Sequence, residues 1–249
     1  MTRVLLNTKE EEILESLLYL QMRRTTILGK DYSNETIPVS ELVQRLEQSC
    51  ADDSTHSATL NIITRKLAAE KEGGAWLEFE PHVGVRFTEK GLSYAKGLLR
   101  KHRLAERFLV EILDIPIEEA HDEACHLEHK ISDRVADQIE LKLGSDQAPL
   151  CPHGFPIPSK NGEIPRTQFT VLSELEAPRK VIVRGSINED SQFLRELREL
   201  GLIPGTALTL NQSPRLSENL SVSLSTAETV KELILPRTIT SVLLVELAE

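Results

Sequence analysis

The chain of 249 residues has 29 basic and 39 acidic side chains, a formal net charge of −10, which argues against a broadly basic nucleic-acid-binding protein. Apolar residues make up 40% of the sequence, enough for two or three cores, yet no apolar run approaches the ~20 residues of a membrane helix. Three scattered cysteines do not suit a disulfide framework, and acids near the start do not suit a signal peptide. A cytoplasmic protein without membrane contact is expected.

The first part of the chain has the element order of a winged helix-turn-helix. Apolar spacing predicts three helices, over residues 8–22, 39–48 and about 55–71. Alternating apolar and polar residues from 76 to 88 then predict a β-hairpin. We therefore expect a DNA-binding domain over 1–90.

Two long helical patterns follow and predict a helical domain over 91–150. The first spans about 89–113, and the second runs from Ile117 to Leu143 and stops at Gly144. A stretch rich in proline and glycine over 151–166 indicates a linker. Residues 167–249 form short strand patterns with one short helix among them, which is typical of a small β-barrel.

The two helical patterns carry possible metal ligands. A helix turns by about 100° per residue, so four donors of the second pattern fall within roughly one quadrant. These donors are His121, Cys125, Glu128 and His129. The preceding helix presents His102 and Glu106 on one face, four residues apart. Mixed nitrogen, oxygen and sulfur donors favour a divalent first-row ion such as Fe(II), Mn(II), Co(II) or Ni(II) over a cysteine-rich structural zinc site. A solvated polar helix face is the alternative.

The residues around these donors resemble the diphtheria toxin repressor family of iron- and manganese-dependent transcriptional repressors. The matching stretches are Arg100-Lys-His-Arg-Leu-Ala-Glu-Arg107, His121-Asp-Glu-Ala-Cys-His-Leu-Glu-His129, Ser132-Asp133 and Cys151-Pro-His-Gly-Phe-Pro-Ile-Pro158. The resemblance covers nearly the whole chain. It implies an α+β multidomain fold with an N-terminal winged helix-turn-helix, an all-α metal-binding and dimerisation domain, and a C-terminal SH3-like β-barrel. The barrel is also similar to small ferrous-iron-transport accessory proteins, especially over 197–205.

The resemblance implies two metal positions in each subunit. The primary position takes Cys125, Glu128 and His129, with Glu12 of the first helix as the remaining ligand and Glu15 as a further candidate. The ancillary position takes His102, Glu106, His121, Glu189 and Gln192, the last two from the barrel. Glutamate at position 12 departs from the Met or Asp of family members. Its carboxylate favours Mn(II), whereas Cys125 favours Fe(II). A simple helix N-terminal charge is the alternative role for Glu12 and Glu15.

The resemblance also implies that the third helix and the hairpin contact DNA. The candidate residues are Ser57, Thr59, Asn61, Arg65, Lys66 and Arg86. Amides can read adenine edges, while hydroxyls and basic groups mostly hold phosphates. The stretch from 48 to 73 is longer than the reading unit of the family, so the motif does not define a register of base contacts. An ordinary polar helix face is the alternative reading of these residues.

Other candidate residues have simpler interpretations. Cys50 and Cys151 are expected to be structural or free thiols, because neither belongs to the ligand stripe. His153 lies in a turn rich in proline and glycine, where a turn role is expected. Trp76 is expected to pack against the hairpin.

Together these features predict a homodimeric repressor that binds an inverted-repeat operator in double-stranded DNA. Two ions per subunit, Fe(II) or Mn(II), would activate it, and its targets would be genes of metal homeostasis. No catalytic Ser-His-Asp order or glycine-rich phosphate loop is present in the sequence, so neither an enzyme nor a small-molecule substrate is expected. Two alternatives remain: a metal-dependent hydrolase, which metal-dependent turnover would indicate, and a metal-delivery or storage module that does not bind DNA.

Overall fold

The structure is a computed structural model that describes residues 6–28, 35–48, 57–69, 74–144, 150–165, 167, 169–176, 179–213, 218–225 and 230–248. Two compact units make up the chain. Unit 1 comprises Met1–His102, Cys125–Ala136 and Pro158–Glu163, and unit 2 comprises Arg103–Ala124, Asp137–Ile157 and Ile164–Glu249. In the described part of the chain, no helix is both long enough and apolar enough to cross a membrane.

Unit 1 begins with the three predicted helices and the hairpin. They are α1 (Thr8–Leu28), α2 (Val39–Gln48), α3 (Ser57–Ala68), β1 (Leu77–Glu80) and β2 (Gly84–Phe87). Asn7 caps α1, because its side chain accepts from the Glu10 amide while Glu10 accepts from the Asn7 amide, both at 3.0 Å. Ile13, Leu14 and Leu17 of α1 are fully buried in a core that includes residues of α2, α3 and the hairpin. Burial of this apolar face holds α1 against the helix-turn-helix.

The hairpin is built on a close backbone approach. Strands β1 and β2 pair antiparallel from Leu77 opposite Phe87 to the turn, and Ile37 adds an isolated bridge to Val85. Gly84 has φ +151°, and a Cβ at this position would lie 2.1 Å from the Ile37 carbonyl oxygen. Only glycine fits at this position, so the bridge between Ile37 and Val85 depends on Gly84.

Three helices follow the hairpin: α4 (Glu89–Glu111), α5 (Ile117–Glu128) and α6 (Asp133–Leu143). The prediction of one continuous helix over 117–143 was wrong. The amides of Lys130 and Ile131 both donate to the Leu127 carbonyl, which closes α5. The Ser132 hydroxyl then accepts from the Val135 amide at 3.3 Å and starts α6 as an N-cap.

The C-terminal part of unit 2 is a six-stranded antiparallel sheet in the order β3-β8-β4-β5-β6-β7. Its elements are β3 (Thr170–Val171), a 3-10 turn (Leu172–Glu174), β4 (Arg179–Ser186), α7 (Ser191–Leu200), β5 (Ala207–Leu210), β6 (Asn219–Ser225), β7 (Val230–Pro236), α8 (Arg237–Thr240) and β8 (Leu243–Leu247). Alternate residues of its strands, such as Val181 and Val183, are fully buried in a second core. In the described residues β3 and β7 do not pair, so hydrogen bonds do not close the sheet.

Candidate metal centres

Unit 1 holds a buried cluster of donors that we call the first centre: Glu15, His102, Cys125, Glu128 and His129. Glu128 lies in the middle, with Oε2 2.8 Å from His102 Nδ1 and Oε1 3.2 Å from His129 Nε2. Donor atoms of Glu15, Glu128 and His129 all lie within 4.8 Å of one another. Helices α1, α4 and α5 therefore bring carboxylates and imidazoles to one point.

The electrostatics of the first centre suit a cation. Burial, and after it the negative charge of Glu128, raise the pKa of Glu15 from 4.5 to about 8. The Glu128 side chain is only 1% exposed, so water does little to screen the two carboxylates. The half-buried Cys125 adds a thiol, because its Sγ lies within 4.8 Å of a ring nitrogen of His102. Carboxylates, imidazoles and a thiol in one buried cluster fit a divalent first-row ion.

A carboxylate that sequence reasoning missed lies behind His129. Glu11 Oε2 is 2.8 Å from His129 Nδ1, and the Tyr94 hydroxyl donates to Glu11 Oε1. Burial alone would raise the pKa of Glu11, but the hydrogen bonds from His129 and Tyr94 hold it below its usual value. The predicted ligand Glu12 is half-buried on α1, and the convergent donors in the described residues include Glu15 but not Glu12.

Unit 2 holds another cluster of donors, which we call the second centre: Glu106, His121, Cys151, His153 and Glu189. Glu106 is shared by two groups of three donors, each group within 4.8 Å. Its Oε1 lies 3.3 Å from His121 Nδ1 and 3.0 Å from His153 Nδ1. Glu189, just before α7, lies 4.0 Å from His121 Nδ1. Gln192, also predicted as a ligand, is exposed in the first turn of α7.

Contacts between α5 and α7 support this arrangement within unit 2. The Arg198 guanidinium pairs with the buried Glu118 carboxylate at 2.9 Å, and the Ser191 hydroxyl donates to Asp122. Asp190 caps α7 by accepting from the Phe193 amide at 2.9 Å. These contacts hold the start of α7, and Glu189 beside it, against the face of α5 that carries His121.

The loop that supplies Cys151 and His153 is placed by glycine. Gly154 has φ +90°, and a Cβ there would lie 1.3 Å from the Arg184 carbonyl oxygen of β4. This contact is possible only for glycine, so the motif Cys-Pro-His-Gly lies directly on the sheet. His153 Nε2 then donates to the Ile117 carbonyl at 2.9 Å, which turns Nδ1 towards Glu106. The expected turn role of His153 thus comes with a place in the donor cluster.

The charge of Glu106 acts on both buried groups of this loop. Burial would lower the pKa of His153, but the charge of Glu106 and the hydrogen bonds of the ring with Cys151 and Glu106 hold it well above its usual value. Burial and the same carboxylate raise the pKa of the Cys151 thiol. A cation bound here would oppose the second effect, because positive charge favours the thiolate.

The predicted DNA-contacting residues of α3 have different surroundings. The Lys66 ammonium pairs with the buried Glu10 carboxylate of α1 at 2.6 Å, with half of the Lys66 side chain still exposed. The Arg65 guanidinium lies 5.0 Å from the centre of the Phe79 ring. Asn61 is half-buried. The side chains of Ser57 and Thr59 lie outside the described residues.

The predicted hairpin residue Arg86 pairs with a neighbour across the strands. Its guanidinium lies 2.6 Å from the Glu78 carboxylate, and both side chains are about half exposed. Such a pair contributes little to stability, about 0 to 1 kcal/mol, so Arg86 can exchange this contact for another. Trp76, predicted to pack the hairpin, is buried with its ring centre 5.1 Å from that of Tyr94.

Comparison with known proteins places the chain among metal-responsive repressors. Residues 88–159 match the iron dependent repressor, metal binding and dimerisation domain, and residues 170–247 match the FeoA domain. The chain is 30% identical to the iron-dependent repressor IdeR of Mycobacterium leprae over 206 residues, which cover 78% of this chain and 84% of that protein. It is 30% identical to the diphtheria toxin repressor of Corynebacterium jeikeium over 194 residues, covering 69% and 75%. The chain therefore belongs to the iron-dependent, or diphtheria toxin, repressor family.

Solved structures agree with this assignment and confirm the predicted fold class. A manganese-dependent transcriptional repressor in complex with manganese superimposes with a TM-score of 0.74 at 26% identity, covering 94% of this chain and 100% of that one. ScaR with bound Zn²⁺ gives a TM-score of 0.71 at 27% identity, covering 94% and 99%. IdeR of T. acidophilum has the same fold, with a TM-score of 0.69 at 20% identity, over 99% and 100%.

Proposed function

We propose that this chain is a metal-dependent transcriptional repressor that binds operator DNA when its first centre holds Fe(II) or Mn(II), and so controls genes of metal homeostasis. The observation that carries the proposal is the convergence of buried donors from α1, α4 and α5 in the same compact unit as a winged helix-turn-helix. A metal site in that position can report on the arrangement of the DNA-reading helices. The names of its relatives, iron-dependent and manganese-dependent repressors, support this function.

Helix α1 is the element that links the first centre to α3. On one face, Glu15 points to Glu128 and His129. Elsewhere on the same helix, Glu10 holds Lys66 of α3, and the apolar face of α1 packs in the core shared with α2 and α3. A bound divalent cation supplies the charge that allows Glu15 and Glu128 to be ionised together. With both ionised, α1 is fixed to α5, and α3 is fixed with it. The metal would thus act as an allosteric effector, because it favours one arrangement of the winged helix-turn-helix.

The donor types restrict the metal without choosing one. Two carboxylates and two imidazoles suit Mn(II) and Fe(II) equally, while the Cys125 thiol favours Fe(II). The second centre also combines carboxylates, imidazoles and a thiol, which supports the proposal of two ions per subunit. Its Cys151 and His153 extend the predicted ancillary ligands, of which Glu106, His121 and Glu189 lie together.

We further propose a homodimer on an inverted-repeat operator, with the two reading heads about one DNA turn, ~34 Å, apart. The helical region matches a family domain described as metal binding and dimerisation. Large apolar side chains remain exposed in the parts of this region that belong to each unit, and each set suits contact with a second copy. They are Ile112, Leu113, Leu127, Val135 and Leu141. The division into a DNA-binding domain, helical domain, linker and barrel at residues 90, 150 and 166 is part of the same proposal.

Anaerobic DNA-binding titrations test the function. Inverted-repeat sites selected from random DNA with Mn(II)-loaded protein are titrated with metal-free, Fe(II)-loaded and Mn(II)-loaded chain, and fluorescence anisotropy is measured. We expect either metal to tighten binding by at least ten-fold. Unchanged affinity would contradict the proposal, and tight metal binding without any DNA binding would favour a delivery or storage module.

Variants of the first centre sharpen this test. Glu128→Ala should abolish the response to metal, because Glu128 contacts both His102 and His129. His102→Ala should have an effect of similar size, since its Nδ1 lies only 2.8 Å from Glu128. Glu119→Ala is the matched control, because it removes an exposed carboxylate from the same helix. A response retained in Glu128→Ala would show that the first centre is not the sensor.

A further inference from the structure

The imidazole of His129 is held from both sides. Its Nε2 faces Glu128 Oε1 at 3.2 Å, inside the first centre, and its Nδ1 faces Glu11 Oε2 at 2.8 Å, outside it. The side chains are largely buried, with 7% of His129 and 11% of Glu11 exposed. Since Glu11 meets the nitrogen that points away from the other donors, its contact with His129 differs from that of a ligand.

The contact determines which nitrogen is available to a metal. An ionised carboxylate can only accept a hydrogen bond, so Glu11 requires the proton of His129 on Nδ1. The lone pair of the neutral ring is then on Nε2, directed towards Glu15 and Glu128. Metal-binding histidines commonly donate their other ring N–H to a carboxylate, which fixes the tautomer and raises the basicity of the ligand.

Glu11 itself is held in place by a second contact. The Tyr94 hydroxyl of α4 donates to its Oε1, and the Tyr94 ring packs edge-on against Trp76 at the base of the hairpin. Both oxygens of Glu11 are therefore occupied by hydrogen bonds, one from Tyr94 of α4 and one from His129, the residue that follows α5. A series of contacts runs from Trp76 through Tyr94 and Glu11 to His129.

We propose that Glu11, held by Tyr94, is the positioning residue that orients His129 as a metal ligand through Nε2. This inference rests on the first centre being a metal site, as the proposed function requires. The proposal gives Glu11 a positioning role. The sequence had predicted its neighbour Glu12 as a direct metal ligand. Because Glu11 acts from behind the imidazole, its loss weakens metal binding without removing a donor atom from the ion.

Metal affinity of the 249-residue chain tests this role without DNA. Mn(II) and Zn(II) dissociation constants are measured by competition with a chelating dye for the natural sequence and for Glu11→Ala, Glu11→Gln and Tyr94→Phe. Glu11→Ala should weaken binding by about 10- to 100-fold, the usual effect of losing such a partner. Glu11→Gln keeps an acceptor and should recover most of this loss, and Tyr94→Phe should lose only a few-fold. Glu89→Gln, which neutralises an exposed carboxylate at the start of α4, controls for charge alone.

The ring nitrogens of His129 give the direct readout. Long-range ¹H–¹⁵N NMR spectra of the Zn(II)-loaded chain, assigned with His129→Gln, should show a protonated Nδ1 and a metal-bound Nε2. Glu11→Ala should lose the downfield Nδ1 proton signal while still binding one ion at this centre. Metal bound to Nδ1, or an affinity within two-fold of the natural chain in folded Glu11→Ala, would overturn the proposal.

A loss in Glu11→Ala equal to that in His129→Ala, without recovery in Glu11→Gln, would identify Glu11 as a direct ligand and also overturn it. Failure of the proposed function is distinguishable from these outcomes. In that case the natural chain would bind metal with His129 Nε2 and still show no metal-dependent DNA binding. Thermal unfolding of each metal-free variant shows whether it is folded, and Glu11→Gln and Tyr94→Phe keep the test valid if Glu11→Ala is not.

Discussion

Replacement of Glu15 by Gln should change the number of protons that the chain releases when it binds metal. Burial and the charge of Glu128 raise the pKa of Glu15 to about 8, so the metal-free chain holds about 0.9 of a proton on this carboxyl at pH 7. At pH 8.5 the same carboxyl holds about 0.25 of a proton. Metal binding requires the ionised carboxylate of Glu15, so it releases the fraction of a proton that this carboxyl holds at the given pH. The natural chain should therefore release about 0.9 more protons than Glu15→Gln at pH 7, and about 0.25 more at pH 8.5.

The protons are counted with a pH indicator in weakly buffered, anaerobic solution as saturating Mn(II) is added. Comparison with Glu15→Gln removes the protons contributed by every group that both chains share. The Glu15 carboxyl alone should also lower the apparent affinity by roughly fifty-fold between pH 8 and pH 6. An equal proton release by both chains at pH 7, with saturation confirmed, would refute the reasoning.

The same raised pKa has a defined effect on the metal-free fold. A carboxyl whose pKa rises on folding, here from 4.5 to about 8, contributes stability that is fully present below pH 4.5. That contribution is lost as the pH rises through about 8. Glu15 thus makes the metal-free chain less stable as the pH rises from 5 to 8, while Glu15→Gln lacks this part of the slope.

Three further predictions concern other contacts. Lys66→Met should lower the free energy of unfolding in urea by about 1 kcal/mol, because buried Glu10 loses its ammonium partner; unchanged stability would point to a role of Lys66 in DNA contact alone. Gly154→Ala should cost ~3 kcal/mol or more, measured in the same way, because its Cβ would overlap the Arg184 carbonyl at a positive φ. His153→Ala should reduce bound Mn(II), measured by equilibrium dialysis, from two ions per chain to one; two ions retained would exclude His153 as a ligand.

The elements of the DNA-binding head were predictable because each one has a local signal. The alternation around the hairpin and the apolar face of α1 lie within the element that they specify, and Pro38 lies directly before α2. The break between α5 and α6 also has a local signal, Ser132 followed by Asp133, but a continuous apolar pattern concealed it. In the structure, hydrogen bonding to the Ser132 hydroxyl prevails over helical periodicity.

For the candidate metal centres, the sequence indicated which types of donor to consider but not which residues lie together in the fold. Helical phase places His102 and Glu106 on one face of α4, but it does not tell which partners each one meets. In the structure His102 meets Glu128, while Glu106 meets His121 and His153. His153 was missed because 47 residues separate it from Glu106, and only the folded sheet brings its loop there. Cys151 and His153, two donors with one residue between them beside a glycine, were the available signal.

The contact of Gly154 with β4 makes the second of the two proposed ions depend on how much of the chain is present. The donors of the first centre lie within residues 15–129, whereas Cys151 and His153 reach Glu106 on a loop that rests on the backbone of Arg184. Glu189 also follows β4 directly. A protein cut after residue 164 would keep every donor of the first centre and lose the support for the second. If each subunit holds the two proposed ions, the C-terminal sheet would then set the metal-binding capacity of the chain without contacting the donors next to α1 and α3.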